Sequence, residues 1–350
     1  MNGSPTHLAL FALIVSLVTT VGIGVGGPAY LRRIRLERPA IGTFNPRDIC
    51  VLFVLLATLP VFYLHLPQWL LTSFLGLTFV SSLSIGLRPL LRPVTLWLTV
   101  GGLIGLNLWM GRTLLGTVLG WQLFWIENSV IVLLAAISVT NLYVQGGMKL
   151  KYVAGFATAL AIYDLFFTRF LPITNQLVEK LLGYPLNPSM GFRWGFDNAA
   201  VGIGDLLVYG LYILAALKAY GRPGLRLGLV LVTLFGAVLP SLVPLVINFV
   251  DARTDVLVPA QAWFGPPALL GYLYLRHRYG RERTVEEFLV STDFVGRRPY
   301  PTVPVPPPRP VPARTGAPAR PAPAPVGTAA PTPAPVPVAA TADGAPVAAG

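Results

Sequence analysis

Residues 199–217 read AAVGIGDLLVYGLYILAAL, an apolar run whose one charged side chain is Asp205. A second run, KYVAGFATALAIYDLFFTRFLP over 151–172, carries a single acid, Asp164. Each has the roughly 20-residue length that a helix needs to cross hydrocarbon. A carboxylate at that depth costs about 2.5–3.5 kcal/mol even on the lenient insertion scale, so each must have a reason to be there.

Working outward, apolar runs of this length recur along the chain, at about 8–28, 48–67, 68–87, 93–111, 127–147, 151–172, 199–217, 226–249 and 256–275. Only 11% of the 350 residues are charged and 54% are hydrophobic, too little charge to wet a soluble domain of this size. The expected fold is therefore all-α, a polytopic membrane helix bundle of about nine spans. The stretch 113–147 is long for one crossing and short for two. Its first part, with Trp121 and Trp125, reads as an interfacial lead-in, because indole rings favour the headgroup level. Three blocks follow: helices one to five over 1–147, helices six to nine over 148–283, and a disordered Pro/Ala-rich cytoplasmic tail over 284–350.

The net charge of +12 reads as basic anchors on the cytoplasmic side, not as a nucleic-acid surface. Sixteen lysines and arginines fall in one set of loops, from the Arg32–Arg47 cluster to Arg276–Arg283. Five fall in the other: Arg112, Arg169, Lys180, Arg193 and Arg253. That alternation places the N-terminus outside and the C-terminus inside. The first run has no basic residues before it and several after it, the pattern of an N-out anchor, not of a secretory signal. Cys50 is the single cysteine, and His7, His65 and His277 lie far apart, so no disulfide, metal site or cofactor is implied.

Apart from Asp48 at the start of its run and Lys151, Arg169 and Arg226, counted above with the loops, the charged side chains within the nine runs are Glu127, Asp164 and Asp205. Glu127 falls at the outer end of its run and reads as an interfacial acid. Asp164 precedes Pro172 by eight residues and Asp205 follows Ala199 by six. At 1.5 Å per residue both lie on the order of 10 Å below one membrane face, on consecutive antiparallel helices. Two carboxyl groups held close share a proton, and such a pair can activate water for amide hydrolysis without metal. Gly202 and Gly204 leave backbone uncovered where another chain can approach. Pro259, Pro266 and Pro267 interrupt the ninth run, as in helices that border a wet cavity. A proton-coupled transporter or channel would also use buried aspartates and broken helices, although no internal repeat is visible between the halves.

The chain resembles the presenilin and signal peptide peptidase group of GxGD intramembrane aspartyl proteases. Tyr163-Asp164 looks like the YD motif, Gly202-Ile203-Gly204-Asp205 like GxGD, and Pro267-Ala268-Leu269 like PAL, in the family's order and in the sixth, seventh and ninth spans. The resemblance covers about 150–275. It implies that Asp164 and Asp205 are a catalytic dyad, with Tyr163, Gly202, Gly204 and Pro267-Ala268-Leu269 shaping the site. The link at 173–198 is short, unlike the self-cleaved presenilin loop. The N-out, C-in orientation is that of signal peptide peptidases, which implies membrane-spanning substrates with their N-terminus inside. A prepilin-type peptidase fits less well: Leu206, Leu207 and Val208 follow Asp205 where that family has a lysine, and the paired cysteine motifs are missing. A catalytically dead family member is disfavoured by the intact aspartate pair. The short chain and its Ala/Pro-rich tail lean towards a prokaryote, hence its plasma membrane.

The orientation is directly testable. A fluorescent protein that matures only in the cytoplasm, fused to the C-terminus, should fluoresce, and alkaline phosphatase at the same point should stay inactive. The opposite pair of results would invert the topology.

Overall fold

Each long apolar run folds as a helix, because a segment in lipid must satisfy its backbone polar groups within itself. The computed structural model describes residues 5–36, 46–169, 173–181, 183–194, 197–251 and 259–296. In chain order the elements are α1 (Pro5–Arg33), α2 (Pro46–His65), α3 (Gln68–Leu87), α4 (Pro93–Thr113), α5 (Val118–Gln145), α6 (Leu150–Arg169) and α7 (Ile173–Leu181). Then come β1 (Ser189–Trp194), β2 (Asp197–Gly202), α8 (Ile203–Tyr220) and α9 (Arg222–Leu231). A π-helical stretch (Val232–Val238) joins α9 to α10 (Leu239–Asp251), and α11 (Ala260–Tyr279) and α12 (Val285–Val290) close the order.

Among the described residues, eight helices are long and apolar enough to cross a membrane: α1 to α6, α8, and the continuous Arg222–Pro244 segment. The ninth expected span, α11, has the length at 20 residues. It is less apolar, holding Gln261 and ending in Arg276-His277-Arg278. Large apolar side chains face outward, with Leu98 71% and Trp69 70% exposed. On a water-soluble monomer such an exterior would drive aggregation; in lipid it is the solvated surface.

α8 is the buried axis. Val208 and every residue from Tyr209 to Ala219 are buried, and α1, α5, α6 and α9 pack around it. α11 lies along α6 over much of its length. Pro266 and Pro267 sit inside α11, which stays one helix; the expected interruption does not occur among its described residues. Pro259 instead precedes the first turn, where a missing N–H costs nothing.

The loop ends that share a predicted side do gather at one end of the bundle. Glu282 accepts from the N–H groups of Leu150 (2.8 Å) and Lys151 (3.0 Å), satisfying two donors at the start of α6. Buried Lys218 donates to the Met148 carbonyl. Arg283 reaches the Leu217 and Ala219 carbonyls and pairs with Asp293 at 3.0 Å. Residues 284–296, assigned to the tail from sequence, are thus folded: Val295 and Gly296 both donate to the Arg32 carbonyl. Phe288 and Phe294 bury there as apolar anchors that the Pro/Ala composition further on lacks. The remainder of the expected tail, 297–350, lies outside the described residues.

Two further expectations change. The stretch 118–145 is a single 28-residue helix, started by Thr117, whose side chain accepts from the Gly120 N–H. Trp125 is buried within it, so the expected lead-in is continuous with the span in one helix. Glu127 therefore lies in the body of α5, where its Oε2 accepts from Asn107 Nδ2 at 2.6 Å. It is a packed acid, partly buried against α4. Asn107 Oδ1 also accepts from the Leu186 N–H at 2.6 Å, and Asn128 Nδ2 donates to the Asn187 and Ser189 carbonyls at 2.9 Å each. These amides of α4 and α5 hold the turn that leads into β1, including Leu186 at φ 58°, a backbone state uncommon for leucine.

Removing that clamp should be costly. A single interhelical hydrogen bond in a membrane averages only about 0.6 kcal/mol. Asn107→Leu, however, also leaves the Leu186 N–H and the Glu127 carboxyl without this partner, at about 1–3 kcal/mol for a stranded buried group. Thermal unfolding in detergent should fall by several degrees; an unchanged midpoint would show that the clamp carries no stability.

Candidate active site

The link between α6 and α8 determines where the second acid lies. From sequence, helix seven begins at Ala199; the structure begins it at Ile203, with Asn198–Gly202 extended in β2. Val201 is β-branched and Gly202 disfavours helix, so the segment pairs as a strand instead. β1 and β2 are antiparallel, with Ser189 opposite Gly202 and Trp194 opposite Asp197. β1 is tied to α5 through Ser129, whose hydroxyl donates to the Gly191 carbonyl at 2.9 Å. The Ile203 N–H donates to the Pro188 carbonyl at 2.8 Å, closing the hairpin onto the start of α8. Asp205 thereby enters the bundle in the first turn of α8, where the unpaired N–H groups favour an anion.

Asp164 lies on α6, Asp205 on α8, and a residue of α11 joins them. The Gln261 backbone N–H donates to Asp164 Oδ2 at 3.2 Å, and its side-chain Nε2 donates to Asp205 Oδ1 at 2.7 Å. Gln261 is the second residue of α11, so its N–H is one of the four donors without a partner inside the helix. Both carboxyl groups thus meet the N-terminal end of a helix. Gln261 is 5% exposed. Beneath Asp205, Phe264 packs edge-on against Tyr209 and Tyr212, at centroid distances of 5.0 and 5.5 Å, fixing α11 on α8.

The other residues singled out from sequence take distinct places. A Cβ on Gly202 would stand 3.8 Å from Asp205 Oδ2, so this glycine lies against the carboxyl group. Gly204 has nothing within 4 Å of the Cβ position, leaving backbone open beside Asp205. Tyr163 turns towards α2: its hydroxyl donates to the Ala57 carbonyl at 3.0 Å and its ring meets Phe53 edge-on. Pro267-Ala268-Leu269 lies about two turns further along α11 than Gln261, and the Ala268 carbonyl accepts from the Tyr212 hydroxyl at 2.9 Å. Gln261, which joins the two acids, follows a second Pro-Ala pair, Pro259-Ala260, at the start of α11. Counting charged groups overlooks an amide. A glutamine within an otherwise apolar and aromatic run, PAQAWF, was the available signal.

No protein-family model matches the chain, and the search of curated proteins returns no match. The resemblance to the GxGD proteases therefore rests on the sequence motifs alone.

The two kinds of glycine can be told apart. Gly204→Ala should fold at least as stably as the parent, since the methyl meets nothing and helix propensity improves by up to about 1 kcal/mol. Gly265→Ala should destabilise by about 1–3 kcal/mol, because its Cβ would fall 2.6 Å from the Ala157 carbonyl oxygen of α6. Thermal unfolding of the two variants should split in that order, and the reverse order would contradict the helix contact.

Proposed function

We propose that the protein is an intramembrane aspartic endopeptidase of the GxGD type, hydrolysing peptide bonds inside membrane-spanning segments with Asp164 and Asp205 as its catalytic pair. The observation that carries this reading is the Gln261 bridge: carboxyl groups from two helices, 41 positions apart in sequence, bonded to one buried residue of a third. A paired carboxyl site inside an apolar bundle suits proton exchange with water.

In the proposed reaction one carboxylate accepts a proton from water as the water oxygen bonds to the scissile carbonyl carbon. The other, protonated, donates to the carbonyl oxygen. As the tetrahedral species collapses and the C–N bond breaks, the leaving nitrogen takes a proton from the carboxyl that received one from water, and one hydroxyl of the gem-diol returns its proton to the other carboxylate as the carbonyl re-forms. The pair ends the cycle with one proton, as it began. Extended substrate would be held by backbone pairing beside the β-hairpin, whose second strand runs straight into Asp205, with the open backbone at Gly204 as the point of approach. Nine spans, with α11 as the last, an N-out and C-in orientation and a prokaryotic plasma membrane complete the proposal. That orientation favours substrates whose N-terminus is inside, such as signal-peptide remnants and type II anchors.

The test is cleavage of a model transmembrane peptide by the protein purified in detergent. Asp164→Asn and Asp205→Asn are nearly isosteric but cannot carry the shared proton, so each should remain folded and lose at least about a thousandfold in rate. Substantial cleavage by either variant would rule out the two-carboxyl mechanism; the same pattern as solute-driven proton flux, without cleavage, would identify a transporter.

A further inference from the structure

The Gln261 amide is half used. Its Nε2 is bonded to Asp205, while its Oε1 is buried and has no hydrogen-bond partner among the described residues. The residue is 95% buried, as its 5% exposure requires, so this acceptor is not satisfied by lying at a surface. A buried carbonyl oxygen left unpaired costs about 1–3 kcal/mol, and such groups are rare unless something else supplies the donor. Orphan acceptors occur elsewhere in the bundle, on Asn141, Asn187 and Glu127, but none of those is bonded to one of the paired acids. The amide is planar and its two ends are held about 2.3 Å apart by the carbon between them. Whatever donates to Oε1 is therefore placed within a few ångströms of the Asp205 carboxyl. An extended peptide backbone carries one N–H per residue and brings it there at a fixed offset from the scissile carbonyl.

We propose that Gln261 is a substrate-positioning residue: its side-chain Nε2 donates to Asp205 and orients it, and its Oε1 accepts a hydrogen bond from one backbone N–H of the bound peptide beside the scissile bond. The inference rests on the endopeptidase reading. It gives α11 a task at the site that the aspartates alone do not perform. Gln261 registers the substrate against the pair, so that one particular carbonyl lies between the two acids. Hydrogen bonds made through a backbone group are indifferent to the side chain, so the contact sets where cleavage occurs without selecting which residues flank it.

The experiment uses the full-length protein in detergent and a cleavable transmembrane peptide in which successive backbone amides near the mapped scissile bond are replaced by esters. Each replacement removes one N–H and little else. The wild type should lose roughly tenfold or more in kcat/KM at one position close to the cut. Gln261→Met keeps the size, the helix and the backbone N–H to Asp164. It should cleave the all-amide peptide roughly ten- to hundredfold more slowly and with a less uniform cut site, and it should be insensitive to the ester at that one position. Wild-type kcat/KM that is unaffected by every ester would overturn the inference without recourse to any variant. Gln261→Met retaining the full wild-type ester profile would overturn it equally. Cleavage that persists in Asp205→Asn would overturn the two-carboxyl mechanism, and the inference with it; a wild type that cleaves no peptide would overturn the endopeptidase reading itself.

Discussion

A carboxyl group inside an apolar bundle must find hydrogen-bond partners within the protein, and that constraint organises the centre of this molecule. Asp164 and Asp205 meet it with donors that α11 brings to both at once, one from the open first turn of the helix and one from the Gln261 side chain. The surrounding contacts serve that meeting. Gly265 lets α11 approach the Ala157 carbonyl of α6, and Phe264 wedges against Tyr209 and Tyr212 of α8. Substituting bulk at either place would separate the donors from the acids they serve.

The second acid depends on a longer chain of contacts. Asn107 and Asn128, on α4 and α5, fix the turn before β1; β1 fixes β2 by pairing; β2 delivers Asp205 to the first turn of α8. The N-terminal helices thus act on the site through a polar anchor, although they contribute no residue to the acid pair. Glu127 belongs to this anchor through its bond to Asn107, which gives the third intramembrane acid a structural partner.

Much of this was legible in the sequence. Apolar runs located the membrane-crossing helices, because lipid demands length and hydrophobicity above all. Asp164 and Asp205 stood out because a charge at that depth is expensive. What composition could not convey was local and polar. The 199–202 stretch is apolar enough to extend a helix, and only its pairing with Ser189–Phe192 makes it a strand. Gln261 is uncharged, so charge alone does not single it out, although its amide and backbone N–H join the two acids. The segment 284–296 merged with a proline-rich region by composition, although Phe288, Phe294 and the bonds to Arg32 fold it onto the bundle.

As the proposed catalytic pair, the two acids would stabilise a tetrahedral intermediate better than the peptide from which it forms. The most direct measurement is the affinity of a transmembrane peptide in which a secondary hydroxyl replaces the scissile carbonyl, scanned over successive positions. At the cleaved position it should bind on the order of a hundredfold or more tighter than the parent peptide, and the gain should vanish in Asp205→Asn while parent binding persists. Equal affinity for hydroxyl and parent peptides at every position, or a gain that survives loss of the aspartate, would contradict the account.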